Sequence, residues 1–378
     1  MTRSSRWLVP IAALALIGGG VAASAAATAS PDLPDRTPAE LLAAVATADV
    51  QALSGTITTE ADLGFPTLPD LGTGASSADP QALLTRLLAG ENTIRVWTDG
   101  PEQFRAALVD DFAELQIVRN GEDVWTYSSS EGVATRYALP AGAGPGDQKA
   151  EVGPESVTPG ALADQALEAI DPTTEVTVGE TQVVAGRDAH TLVIAPRTEE
   201  TLVDRIEIAV DADSSLPVQF QIFARGQDGA AFSTGFTSLD LTAPDASVFD
   251  FTPPADATVT DGELFGGRQA PGQDAAMPAL PDFGMPRLIG SDWSTVVELS
   301  VPASGAASVP EDTTDATDAT DATDATDATD ATAMLDQLSQ PVAGGRAIST
   351  ALLSILLTDD GRVLVGAVPV DTLVAASR

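Results

Sequence analysis

The chain has 378 residues, with 18 Lys and Arg against 55 Asp and Glu, a formal net charge of −37. No basic stripe is available to neutralise phosphates, which excludes a nucleic-acid partner and electrostatic docking on anionic lipid. Cysteine is absent, so disulfides, thiolate zinc sites, iron–sulfur clusters and cysteine nucleophiles are excluded together, and His190 is the one histidine through which any imidazole chemistry must pass.

At the N-terminus Arg3 and Arg6 precede an apolar run from Trp7 to Ile17, interrupted by Gly18, Gly19 and Gly20 and followed by Ala23-Ser24-Ala25 and Ala25-Ala26-Ala27. This is the layout of an export signal over residues 1–27, cleaved after Ala27, with an uncleaved membrane anchor as the alternative. The run is short and glycine-broken for a membrane span.

Residues 37–260 read as one unit. Thr37-Pro38-Ala39-Glu40 combines an N-cap, a proline at the first helical position and a capping-box glutamate, and Leu41, Leu42, Val45 and Ala48 follow at helical spacing. Asp79-Pro80 and Thr158-Pro159 open two more amphipathic helices, carrying Leu87 and Leu88 on one and Leu162 and Leu167 on the other. Between and after them come short alternating strands: Ser54–Leu63, Thr93–Thr98, Phe104–Val109, Glu114–Arg119, Asp123–Ser128, Val133–Leu139, Glu175–Val184, His190–Ala195, Leu202–Val210, Pro217–Ala224 and Ala231–Leu241. Asp99-Gly100 and Asn120-Gly121 mark hairpins. Strands at hairpin spacing exclude a doubly wound parallel sheet. The expected fold is mainly β (α+β): a large curved antiparallel sheet or unclosed β-barrel with helices covering its concave face.

Three stretches read as linkers: Pro140–Pro159, the Gly/Pro-rich residues 262–286, and an acidic run over 312–332 that contains six Asp-Ala-Thr copies. The acidic run has no apolar residue larger than Ala to offset the entropy of ordering, so it is expected to be disordered. It lacks the glycine and terminal glutamate of a calcium loop. The C-terminal extension, 287–378, shows a strand at Trp293–Val301, an apolar stretch at Ile348–Thr358, a turn at Asp359-Asp360-Gly361, a strand at Arg362–Val368 and a short helix from about Val370 to Ala376. A lone hairpin is unstable in water, so it must pair with Trp293–Val301 or dock on the main sheet.

Several phrases in the order helix, long strand, Pro-containing loop, helix, meander, helix, meander carry a resemblance. They are Leu53-Ser54-Gly55-Thr56, Ile94-Arg95-Val96-Trp97-Thr98-Asp99-Gly100, Asn120-Gly121-Glu122-Asp123-Val124-Trp125-Thr126-Tyr127, Val184-Ala185-Gly186-Arg187, Phe236-Thr237 and Phe249-Asp250-Phe251-Thr252-Pro253-Pro254. Over residues 37–260 the chain resembles the periplasmic lipoprotein-carrier (LolA/LolB-like) superfamily, including the N-terminal domain of the sigma-factor regulator RseB/MucB. The resemblance implies an unclosed barrel around an apolar cavity that takes acyl chains or lipoproteins. Without cysteine the chain is not itself a lipoprotein like LolB.

The residues expected to line such a cavity are Ile57, Leu63, Leu87, Trp97, Leu115, Ile117, Trp125, Leu162 and Leu167. For Trp97, Trp125 and Tyr127 ordinary sheet packing is the competing reading. Phe65, Leu68 and Leu71 form an apolar loop that either plugs the mouth or meets a partner. His190 enters a strand after a turn, as a surface or strand-pairing residue; no Gly-x-Ser-x-Gly elbow accompanies it. The adjacent carboxylates Asp110-Asp111 and Asp359-Asp360 read as turns. No catalytic residue, metal or cofactor is expected. The sequence thus points to an exported, non-catalytic binding protein for a lipid or lipoprotein acyl chain. The alternative is a regulator that binds a membrane-anchored anti-sigma factor, and a third reading is an exported hydrolase.

Overall fold

Short alternating segments joined by tight turns can bury one face each only by pairing side by side, and they do so here in two sheets. The computed structural model describes residues 31–64, 92–109, 114–138, 172–262, 287–300 and 339–378. The export signal, the helix starts at Asp79-Pro80 and Thr158-Pro159, and the acidic run lie outside the described residues.

The larger sheet contains β1 (Ala52–Ala61), β2 (Asn92–Asp99), β3 (Gln103–Val109), β4 (Glu114–Asn120), β5 (Asp123–Ser128), β6 (Val133–Ala138), β7 (Thr174–Val178), β8 (Gln182–Val184), β9 (Arg187–Pro196), β10 (Val203–Asp211), β11 (Pro217–Ala224), β12 (Ala230–Asp240) and β13 (Thr258–Gly262). Its order is β13-β6-β5-β4-β3-β2-β1-β12-β11-β10-β9-β7, with β8 also paired to β9, so among the described residues it is open at both ends. Two meanders are joined at a central seam where β1 meets β12, Ser54 facing Asp240 and Ala61 facing Phe232. Gly55 is required there: a Cβ would lie 2.5 Å from the Ser238 carbonyl oxygen and 2.9 Å from the Phe236 ring.

Two details differ from the expected meanders. The expected strand Glu175–Val184 is broken over Gly179, Glu180 and Thr181, so β7 and β8 sit in succession along one edge of β9. And the sheet is mixed: β13 runs parallel to β6, because the chain reaches that edge by crossing the sheet rather than through a hairpin.

Helix α1 (Pro38–Ala46) begins with the expected capping box. The Glu40 carboxylate accepts from the Thr37 N–H at 2.7 Å and Thr37 Oγ1 accepts from the Glu40 N–H at 3.3 Å. These hydrogen bonds hold the Glu40 carboxyl below the usual range. The helix buries Leu41 and Val45 in one core with Ile57, Ile94, Leu192, Ile208 and Phe220, so it covers the inner face of the sheet.

The smaller sheet is assembled from β14 (Arg287–Ile289), β15 (Val296–Ser300), β16 (Gln340–Val342), β17 (Gly345–Ser349), β18 (Ser354–Thr358) and β19 (Arg362–Gly366), in the order β14-β15-β19-β18-β17-β16. Helix α2 (Val370–Ala376) packs Leu373 against Leu356, Leu364 and Val296. The C-terminal hairpin therefore does both things expected of it. β19 pairs with β15, and hydrogen bonds between described residues dock the sheet on the larger one. Leu202 N–H and Thr201 Oγ1 donate to the Ala367 carbonyl at 2.8 and 2.7 Å, Ala351 N–H donates to the Leu63 carbonyl at 2.8 Å, and Trp293 Nε1 donates to Thr174 Oγ1 at 2.9 Å. Leu352, between β17 and β18, joins the core of the larger sheet rather than its own.

Candidate ligand-binding face

Residues directly opposite one another in an antiparallel pair share a face. The row Phe236–Ile57–Ile94–Leu108–Leu115 therefore lies on the inner face, and Ala106 and Ile117 lie beside it. Burial falls along this row. Ile57 is 1% and Ile94 4% exposed, whereas Leu108, Leu115 and Ile117 are half-buried. The inner face is thus a filled core under β9–β12 and an apolar surface, only partly covered, under β3–β5. Leu63 is buried at the rim, beside the Ala351-Leu352 loop of the smaller sheet. Leu87, Leu162 and Leu167, and the loop residues Phe65, Leu68 and Leu71, lie outside the described residues.

Register separates Trp97 and Trp125 from this set. The row Trp97–Arg105–Val118–Trp125–Arg136 lies on the outer face. There the aromatics are covered by the segment between β12 and β13. Phe251 packs against Trp125 with ring centroids 5.5 Å apart and against Tyr127 at 6.0 Å. Arg105 lies over Trp97 at 5.8 Å and donates from Nη1 to the Val248 carbonyl at 2.9 Å. Asn120 Nδ2 donates to Asp250 at 3.2 Å. The 3₁₀ turn Ala246–Phe249 puts Phe249, 1% exposed, over β3 and β4. Trp125 thus packs directly against this strap, and Trp97 is joined to it through Arg105. The sequence carries no signal for this role of Phe249 and Phe251, because nothing local says what an aromatic pair between β12 and β13 will cover.

His190 is a strand residue paired with Val210, on the inner face and 3% exposed, not at the surface. Burial lowers its pKa, and the positive charge of Arg36 lowers it further. A histidine kept neutral in the folded state while the unfolded chain protonates near 6.5 contributes stability above that value and loses it as pH falls. His190→Leu should therefore unfold with a midpoint that varies less between pH 7 and 5 than the parent's, in urea titrations at both pH values. An equal loss in both proteins would show that His190 does not carry the dependence. Among the described residues no group of three or more His, Asp or Glu side chains converges as a metal site.

One inner-face feature went unread in the sequence. Thr59, Asn92 and Thr234 stand directly opposite one another on β1, β2 and β12, all buried, within the apolar face. Alternation placed Thr59 on the face of Ile57 but gave no sign of the polar partners, which come from strands far apart in the chain.

No curated protein matches the sequence. Solved structures that align with it include the MucA/MucB complex of Pseudomonas aeruginosa, at 17% identity and a TM-score of 0.39 over 89% of this chain and 95% of that one. Others are an uncharacterized conserved protein of Thermus thermophilus (11%, 0.32, 59% and 98%) and a LolA superfamily protein of Nitrosomonas europaea (11%, 0.22, 57% and 99%). Residues 85–261 match the family model described as "Predicted periplasmic protein (DUF2092)", and MucB and LolA-superfamily proteins, the groups that the sequence phrases resemble, are among the structures that align with the chain.

Proposed function

We propose that the protein is a non-catalytic extracytoplasmic binding protein that holds an alkyl chain, from a lipid or the acyl group of a lipoprotein, against the inner face of its larger sheet. The observation that carries this reading is the burial gradient. Leu108, Leu115 and Ile117 continue a fully buried apolar row yet stay half-buried themselves. Each methylene laid on that surface contributes about 0.8 kcal/mol before the cost of association, so recognition rests on length more than on headgroup. The periplasmic description of the matched family supports the location.

The test is native mass spectrometry of protein purified from the cell envelope, with a Leu115→Asp/Ile117→Asp variant alongside. Lipid adducts are expected on the parent and at least tenfold fewer on the variant. A parent that carries none, and takes up no alkyl probe when refolded with one, would overturn the reading.

A second reading has one observation in its favour. An alkyl carrier needs one sheet, and this chain docks a second, separately cored sheet beside it. That sheet offers a surface for a protein such as the external part of a membrane-anchored regulator, the kind of two-chain assembly solved for MucB with MucA. Cross-linking in cells and identification of a membrane protein attached to residues 287–378 would favour it.

A further inference from the structure

We infer that a cleft on the outer face of β9 and β10 is the seat of this chain's own processed N-terminus: Thr28-Ala29-Ser30 enter it, and the α-ammonium freed by removal of the export signal pairs there with Glu207 and Glu180. The inference rests on cleavage after Ala27, expected from the sequence, and is independent of the alkyl-binding reading.

The break between β7 and β8 makes the cleft. Gly179 donates its N–H to the Thr191 carbonyl at 2.8 Å and lies so close over β9 that a Cβ on it would be 3.1 Å from Val193 Cγ2. Beside it Pro31, Glu180, Thr181, Thr191, Val193 and Glu207 bound a space of about 530 Å³, inside the range of clefts that hold small ligands, roughly 300–1,000 Å³. Thr191 and Val193 alternate with the inner-face residues His190, Leu192 and Ile194, and Glu207 stands opposite Val193, so the cleft opens on the outer face. Helix α1, which begins at Pro38, covers the inner face. The segment between Pro31 and Pro38 therefore passes from one side of the sheet to the other around its edge. Its start is pinned, because the Pro31 carbonyl accepts from Thr181 Oγ1 at 2.7 Å and from the Leu33 N–H at 3.1 Å.

Whatever precedes Pro31 leaves from the wall of this cleft. Cleavage after Ala27 leaves Thr28, Ala29 and Ser30 ahead of it, a reach of at most about 10–11 Å, ending in an ammonium. Among the described residues that bound the cleft the charged side chains are Glu180 and Glu207, both carboxylates. Glu207 is partly committed: its Oε1 accepts from Arg205 Nε at 2.6 Å. Arg205 is not part of the cleft wall; it is held over the Phe223 ring at 3.7 Å and by Asp204 at 3.0 Å. Among the described residues Glu207 Oε2 has no donor, and it is the acceptor left for a cation. The side chain is 21% exposed, so an ion pair there is partly shielded from water. An uncleaved chain has no charge to place at this point, because Thr28 is joined to Ala27 through a neutral peptide bond. Removal of the signal thus creates the group that fastens the segment from Pro31 to Pro38 around the sheet edge.

The amine can be read directly. The chain has a single lysine, Lys149, so the α-amine and Lys149 are the primary amines of the processed protein. Protein purified from the cell envelope is sequenced from its N-terminus and then acetylated at pH 7 with limiting reagent. Rates at Thr28 and Lys149 are followed by peptide mass spectrometry, in buffer and in urea. Thr28 is expected as the first residue. Its acetylation should be about fivefold slower in buffer than in urea, in keeping with a partly exposed ion pair. Glu207→Gln combined with Glu180→Gln should remove most of that protection and leave the Lys149 rate as it is in the parent. If the double variant fails to fold, the otherwise unchanged protein decides in a Lys149→Arg background: full acetylation of the α-amine should lower the melting temperature by about 1–3 °C. Retention of the signal, a Thr28 amine that reacts as fast in buffer as in urea, protection that survives both substitutions, or a melting temperature unmoved by acetylation overturns the proposal. None of these results bears on alkyl binding, which the lipid adducts decide separately.

Discussion

Replacing Arg187 by Ala is expected to cost about 3 kcal/mol, the lower end of the range for breaking a buried ion pair. The side chain of Asp211 is 1% exposed and that of Arg187 26%, so the carboxylate is the member left without compensation. Arg187 grips it with two hydrogen bonds, Nε to Oδ1 at 2.7 Å and Nη2 to Oδ2 at 2.9 Å. Ser214 adds its N–H at 2.8 Å and its hydroxyl at 2.5 Å, which ties the β10–β11 turn to the same oxygen. Burial alone would raise the Asp211 pKa, but the Arg187 and Ser214 hydrogen bonds outweigh it and hold the carboxyl below its ordinary value of 3.8. A carboxylate with a depressed folded pKa stabilises the fold above its unfolded pKa and ceases to do so as pH falls through the folded one. The gap between parent and Arg187→Ala should therefore be full at pH 7 and shrink below about pH 4, in denaturant titrations at each pH. Arg187→Lys should fall between them, since an ammonium cannot make the paired contact. A gap that stays constant down to pH 3 would show that the arginine acts through packing and not through Asp211.

Phe249→Ala is expected to cost about 3–5 kcal/mol, the usual range for truncating a fully buried aromatic, and to change the spectrum as well as the stability. The strap held by Phe249 also supplies Phe251 to Trp125 and Tyr127, and the Val248 carbonyl to Arg105. Once it loosens, Trp97 and Trp125 face water, and tryptophan emission should move to the red before the global unfolding transition. Denaturation followed in parallel by fluorescence and far-ultraviolet circular dichroism checks this. Coincident curves with native emission until unfolding would mean that the outer face is held without the strap.

The two faces of the larger sheet show why some of this was legible in the sequence and some was not. In β1 and along the middle of β9–β12 the alternation is one-sided: Ile57 and Thr59 are buried, as are Leu192 and Ile194 and their partners Ile206 and Ile208. Pattern alone gave those strands, and on β1 it gave Ile57 as an inner residue. In β2 to β6 both faces carry apolar side chains, Ile94 and Val96 on one, Trp97, Val118 and Trp125 on the other. Period 2 says that Trp97 and Ile94 point oppositely, but not which side is the cavity side. The deciding information lies more than a hundred residues later, in Phe249 and Phe251. The hairpin at Asp359-Asp360-Gly361 was readable because its turn is local, whereas the insertion of Leu352 into the other sheet's core depends on a tertiary contact with no local signal. Thr59 belongs to the same class. Its threonine was visible, but its burial beside Asn92 and Thr234 is a property of three strands brought together.

The seam between β1 and β12 has a consequence for how the protein is made. Strand β1 finds β2 within a few tens of residues, and β4 meets β5 across a two-residue turn, but Ser54 cannot meet Asp240 until nearly the whole larger sheet has been synthesised. Closing a loop of that length carries an entropic cost well above that of a hairpin, and pairings so distant in sequence slow folding. Until they form, the middle of the sheet is two half-sheets with open edges, the condition in which strands recruit the wrong partner.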